Sequence, residues 1–146
     1  MRVFISADIE GTAGILSWDE AERTHADYAE FRALMTAEVL AACEGARAAG
    51  ATEIVIKDAH DSGRNLILEH MPPYVRIVRG WSGHPDVMMF GIDESFDAAL
   101  YTGYHSKAGA EDNPLAHTST LRISRLTLNG ETASEFTLNA LCAARY

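Results

Sequence analysis

Val3-Phe4-Ile5-Ser6-Ala7-Asp8-Ile9-Glu10-Gly11 opens the chain and decides how the rest is read. The β-branched, aromatic and small residues before Asp8 predict a buried strand over 3–7. The strand runs out on two carboxylates separated by one apolar residue, and Gly11 and Gly14 mark a loop. While the backbone stays extended, positions two apart project to the same side, so Asp8 and Glu10 face one way. Paired like charges are costly unless protons or a cation neutralise them. An isolated pair of this kind is as readily a solvated loop, so the residues at the other strand ends decide the matter.

Downstream, Phe31, Met35, Val39, Ala42, Ala46 and Ala49 recur at steps of three or four. This stripe predicts an amphipathic helix over 28–49, stopped by Gly50, with Asp27 and Glu30 as a capping-box-like start. Glu53 to Lys57 is a second strand, a near-continuous apolar run suited to a parallel position covered on both faces. Leu66–His70 reads as a short helix ahead of Pro72-Pro73, Tyr74–Val78 as a third strand, Val87–Phe90 as helical and Ala98–Thr102 as a fourth strand. The β-α-β-α-β order predicts an α/β fold, a mainly parallel sheet flanked by helices with right-handed crossovers. After residue 105 the alternation of Leu121, Ile123, Leu126 and Leu128 predicts strand, Asn129-Gly130 a hairpin turn, and Ser134 the cap of a last helix from Glu135 to about Ala144. The expectation is a single α/β domain over 1–146 that ends in a β-hairpin and a helix.

At 146 residues and 47% hydrophobic, the chain is long enough to bury a core without disulfides. Its 12 Lys and Arg against 21 Asp and Glu give a net charge of −9, with the basic residues scattered. Such a balance excludes nucleic acid or an anionic membrane as the main partner. Cys43 and Cys142 do not form a paired motif, and Asp8 cuts the N-terminal apolar run short of a leader or a membrane span. A reduced, cytoplasmic setting is expected.

Three predicted strands end in ligand-type side chains: Asp8 and Glu10 after the first, Asp58 and His60 after the second, His105 after the fourth. In open α/β sheets the ligand crevice lies beyond the carboxyl ends of the strands, so these groups should converge. Glu135, at the start of the last helix, and His117, before the hairpin, can reach the crevice from its rim. Asp8, Glu10, His60, His105 and Glu135 would give three bonds to each of two ions if Asp8 bridges, the usual protein share at catalytic zinc. Two Zn²⁺, three carboxylates and a hydroxide also sum to zero charge, which a partly dry crevice tolerates. A Mg²⁺-dependent phosphoryl-transfer enzyme fits less well, since magnesium prefers oxygen ligands. A metal-binding assembly scaffold without catalysis is the second alternative. Asp58 either orients His60 or forms a turn, and Lys57 either binds a substrate carboxylate or, the favoured reading, is a surface lysine at a strand end. His25, His70 and His84 read as surface residues, while Trp18 and Trp81 would wall the site or an interface.

Asp8-Ile9-Glu10-Gly11, Asp58-Ala59-His60, Gly103-Tyr104-His105, His117-Thr118-Ser119 and Glu135 with Leu138-Asn139-Ala140 occur in this order over essentially the whole chain. Together they resemble the zinc-dependent D-aminopeptidases of the DppA type. The resemblance implies a di-zinc site with Asp8 bridging, Glu10 and His105 on one ion, His60 and Glu135 on the other, and His117 as the active-site residue beside them. It implies release of N-terminal D-amino acids such as D-Ala from short peptides by a metal-bound hydroxide. It further implies a ring-shaped homo-oligomer, a decamer, whose sites face an internal chamber, and family chains that continue with more α/β structure past the last helix.

Overall fold

A computed structural model describes residues 1–146. Strands β1 (Arg2–Ala7), β2 (Glu53–Asp58), β3 (Val75–Val78) and β4 (Ala98–Thr102) form one parallel sheet in the order β3-β2-β1-β4. Helix α1 spans Trp18–Ala21, α2 spans Tyr28–Ala48 and α3 spans Glu135–Ala143. A two-stranded antiparallel hairpin, β5 (Thr127–Leu128) and β6 (Glu131–Thr132), precedes α3. The chain is thus an α/β fold with a parallel sheet, a small hairpin and a C-terminal helix. No helix is long and apolar enough to cross a membrane.

The apolar run of β1 reflects burial on both sides. Val3, Ile5 and Ala7 pack with Ile54 and Ile56 of β2 against Met35, Val39 and Cys43 of α2. Phe4 and Val55 point to the other face, where Met89 and Ile92 cover them and Cys142 and Ala143 of α3 pack alongside. A parallel sheet covered this way has no polar face to expose, so β1 and β2 read as continuous rather than alternating sequence. The stripe on α2 is the one its periodicity predicts, with Tyr28, Phe31, Met35, Val39, Cys43 and Ala46 buried.

Strand order reverses at β1, because β2 and β3 lie to one side and β4 to the other. The reversal places a crevice beyond the carboxyl ends of β1 and β4, the position where open α/β sheets bind ligands.

Several local expectations change. Asp27 is in helical conformation and makes no capping hydrogen bond, so α2 starts without a side-chain cap. The caps are elsewhere: Ser17 and Glu20 close a capping box on α1, which periodicity could not reveal in so short a segment, and Ser134 caps α3 as expected. The segments expected to be helical near Leu66 and Val87 are single 3-10 turns, Leu68–His70 and Val87–Met89. Between Leu121 and Leu128 only Thr127–Leu128 is strand; Leu121 is 67% exposed and has no facing strand to pair with. Asn129 and Gly130 do form the turn, at φ 52° and 88°, the left-handed pair that a two-residue hairpin needs. Cys43 is buried and neither cysteine is in a disulfide.

Ile5 is fully buried in the central strand. Ile5→Ala should lower the unfolding free energy by about 2–5 kcal/mol. Leu34→Ala, at a 40% exposed position of α2, should change it by less than about 0.5 kcal/mol. Urea denaturation followed by circular dichroism compares them, and equal effects would contradict the assigned faces of α2 and β1.

Candidate metal centre

Two backbone contacts bring the ends of β1 and β4 together. Asp8 N–H donates to the Thr102 carbonyl at 2.9 Å, and Gly11 N–H donates to the Gly103 carbonyl at 2.7 Å. A Cβ on Gly11 would fall on the Tyr104 carbonyl, and one on Gly103 would fall on the Asp8 carbonyl. The two glycines let the loop carrying Asp8 and Glu10 lie directly on the loop carrying His105. On the other flank, Ala59 N–H donates to the Ala7 carbonyl at 2.8 Å and carries the β2 pairing forward to His60.

The expected side chains meet there. His60 Nδ1 is 3.0 Å from Glu10 Oε2 and 3.4 Å from Asp8 Oδ1. His105 Nε2 is 3.6 Å from Asp8 Oδ2 and 3.4 Å from Glu135 Oε1. His117 Nε2 is 3.5 Å from Glu135 Oε1 and 3.8 Å from Glu10 Oε1, and its ring stacks on His105 at 3.9 Å between centroids. Asp8, Glu10, His60 and Glu135 are buried. The two Asp8 oxygens thus face different histidines, a bridging disposition. Two trios bring their ligand atoms within 4.8 Å of one another: Asp8, Glu10 and His105, and His105, His117 and Glu135.

Each imidazole is oriented by the backbone. His60 Nε2 is 2.9 Å from the Ala21 carbonyl, His105 Nδ1 is 3.0 Å from the Ser106 carbonyl, and His117 Nδ1 is 2.9 Å from the Leu115 carbonyl. A carbonyl only accepts, so these nitrogens carry a hydrogen, and the opposite nitrogens face the carboxylates, where loss of their proton would free a lone pair for a cation. Metal-binding histidines are fixed in this manner. Glu135 Oε1 accepts the Ser119 N–H at 2.6 Å. Leu115 and Ser119 hold left-handed backbone conformations, φ 53° and 60°, so the strain falls on two of the groups that aim the site.

The donor set fits a cation. His105 Nε2 and Glu10 Oε2 are buried without an aligned hydrogen-bond partner, although His60 Nδ1 is close to the latter. Without a metal, protons supply the missing positive charge. Burial and the neighbouring Glu10 push Asp8 up to about 7. Burial opposes charge on His60, but hydrogen bonds and attraction from Asp8 and Glu10 outweigh it and raise that imidazole to about 11. Burial likewise opposes charge on His105, yet Glu135 and Asp8 raise it to about 9. On Glu10 burial raises the pKa, but His60 outweighs it and brings the carboxyl to about 2.

The chain matches the D-aminopeptidase family, peptidase M55, over residues 1–146. It belongs to the M55 D-aminopeptidases. It is 28% identical over all 146 residues to the D-aminopeptidase of Bacillus subtilis (strain 168), covering 53% of that protein. Its fold is similar, with a TM-score of 0.93 and 28% identity, to a Bacillus subtilis structure described as the Zn-dependent D-aminopeptidase DppA, a self-compartmentalizing protease; all of this chain and 53% of that chain are covered. The chain therefore spans about half the length of the M55 relatives it matches.

Around the cluster lies a cavity of about 590 Å³, with Asp8, Glu10, His60, His117 and Glu135 in its wall together with Trp18, Trp81, Val87 and Met88. Both tryptophans thus wall the site. Asp58 does not orient His60: its oxygens accept from Asn65 N–H, Asn65 Nδ2 and Leu66 N–H, stapling the loop. Lys57 is fully buried rather than a surface lysine. Its ammonium donates to the Asp58 and Gly80 carbonyls under the Trp81 ring, and burial lowers its pKa to about 8. His25, His70 and His84 are not among the residues lining this cavity. The Ala21, Leu115 and Ser106 carbonyls and the Ser119 N–H escape sequence reasoning because any residue supplies them. Only the Ser17-x-x-Glu20 box, which builds α1 and so places Ala21, left a trace.

Two outcomes follow from this geometry. Gly11→Ala should separate the two loops and weaken zinc binding by about 10- to 100-fold, while far-UV circular dichroism stays native; unchanged affinity would show that the contact does not set the site. At pH 7 the raised imidazoles His60 and His105 hold protons that a metal must displace. Zinc binding should therefore release about two protons and tighten as pH rises through neutrality. Calorimetry in buffers of different ionisation enthalpy reads this release, and its absence would remove the two histidines as ligands.

Proposed function

We propose that the chain carries the metal centre of a zinc-dependent aminopeptidase that releases N-terminal D-amino acids, D-Ala among them, from short peptides. The observation that carries the reading is the tethering of three imidazoles by backbone carbonyls, each with its free nitrogen turned toward buried carboxylates. Asp8, Glu10, His60, His105 and Glu135 would hold two zinc ions, Asp8 bridging, with Glu10 and His105 assigned to one ion and His60 and Glu135 to the other. A donor set this rich in imidazole suits zinc better than magnesium, which disfavours phosphoryl transfer.

Bound zinc supplies Lewis acidity, bringing a water's pKa toward about 7 and polarising a peptide carbonyl. The chain's own groups do the rest. His117 Nδ1–H is committed to the Leu115 carbonyl, so Nε2 is the atom that takes a proton and later returns it to the leaving amine. The stacked His105 ring and the edge of Trp18, 5.1 Å from His117 between centroids, hold that imidazole in place. Against burial, His105 and the Ser119 N–H hold the Glu135 carboxyl below its usual range, and the Ser119 N–H aims it. The self-compartmentalizing character of the Bacillus subtilis structure supports a homo-oligomer that encloses the sites, and the family resemblance extends the proposal to a ring-shaped decamer.

Elemental analysis should find about two zinc ions per chain. The zinc-loaded protein should hydrolyse D-Ala-D-Ala and not L-Ala-L-Ala. His60→Ala should lose zinc, whereas His117→Ala should keep it and lose about 100- to 10,000-fold in kcat. Equal cleavage of the two enantiomers would reject the substrate class, zinc without hydrolysis would leave a metal-binding scaffold, and unchanged zinc in His60→Ala would reject that ligand.

A further inference from the structure

Apart from its histidines, the cavity beside the metal centre is acidic with one exception. Besides Asp8, Glu10 and Glu135 its wall contains Glu22 and Asp61, and Arg23 is the sole Lys or Arg in it. Arg23 is exposed and follows α1 by two residues, next to Ala21, whose carbonyl anchors His60. Arg23 Nη1 makes a single long hydrogen bond, 3.5 Å, to the Arg64 carbonyl in the loop after His60. The arginines that do pair with carboxylates are Arg2, Arg76 and Arg145; Arg23 has no such partner. Its guanidinium keeps most of its donors for a ligand.

We infer that Arg23 binds the C-terminal carboxylate of a short peptide whose scissile bond lies at the metal centre, so that the site selects peptides with a free carboxyl end. This rests on the peptidase reading above. A guanidinium fork matches a carboxylate in geometry, and the flanking Glu22 and Asp61 tolerate a monoanion better than a dianionic phosphate. Each added residue carries the carboxylate about 3.3–3.6 Å farther along an extended chain. A cation at one place in the wall therefore responds to peptide length as well as to charge.

Trp18 and Trp81 are the only tryptophans and both line the cavity, so intrinsic fluorescence reports occupancy directly. The probes are the hydrolysis-resistant reduced-bond analogue of D-Ala-D-Ala, as free acid and as C-terminal amide, titrated into the zinc-loaded protein. The free acid should bind about tenfold or more tighter than the amide. Arg23→Ala should abolish the difference by weakening the acid alone, and Arg23→Lys should keep part of it, since an ammonium keeps the charge without the fork. Equal affinities in the unmodified protein, or a preserved preference in Arg23→Ala, would overturn the inference. Hydrolysis of D-Ala-D-Ala measured alongside keeps the two readings apart. Turnover with equal affinities removes Arg23 alone, whereas acid preference without turnover upholds Arg23 and removes the peptidase.

Discussion

The contact between Gly11 and Gly103 is the constraint on which the site depends. β1 and β4 are neighbours across the reversal in strand order, but sheet pairing alone leaves their outgoing loops free to diverge. The Gly11 N–H bond to the Gly103 carbonyl, made where neither residue has room for a Cβ, closes that gap. The carboxylates of one loop and the imidazole of the other are then within a metal's reach without either side chain being stretched. A larger residue at either position forces backbone against backbone, and nothing there can give by rotating.

On that frame the fold spends backbone groups to fix side chains. Each histidine is held by a carbonyl from a different piece of chain: Ala21 ends α1, Leu115 sits in the loop before the hairpin, and Ser106 follows His105 itself. Left-handed Leu115 and Ser119 serve the same purpose, and two further left-handed residues, Asp61 and Val87, stand in the cavity wall. A β-branched residue such as Val87 at φ 46° is disfavoured, and such outliers persist where the surroundings impose them. Unfavourable backbone is thus concentrated around the cavity rather than scattered over the surface.

The sheet, the long helix and the ligand-type residues were legible because each leaves a local mark. β1 and β2 are unbroken apolar runs, α2 carries a stripe of period 3.6, and Asp8, His60 and His105 stand where strands stop. The short pieces were not legible: single 3-10 turns at Leu68 and Val87 satisfy only two hydrogen bonds each and have no period. Leu121 to Leu128 alternated without a neighbour to pair with, and an alternating pattern becomes a strand only when a second strand satisfies its backbone. Lys57 misled for a related reason. Charge at a strand end argues for the surface, but the neighbouring Asp58 carbonyl, together with the Gly80 carbonyl and the Trp81 ring from a loop more than twenty residues on, solvates this ammonium inside.

Lys57 and the metal cluster answer one problem at two ends of the same loop. The turn from Asp58 to Gly63 brings several carbonyls and carboxylates inward, and the protein must place positive charge among them. At the near end a lysine does so without a cofactor, holding Gly80 and the Trp81 ring over the loop. At the far end, around His60, the charge is of a kind that can be exchanged: the raised imidazole holds a proton that a bound cation would displace.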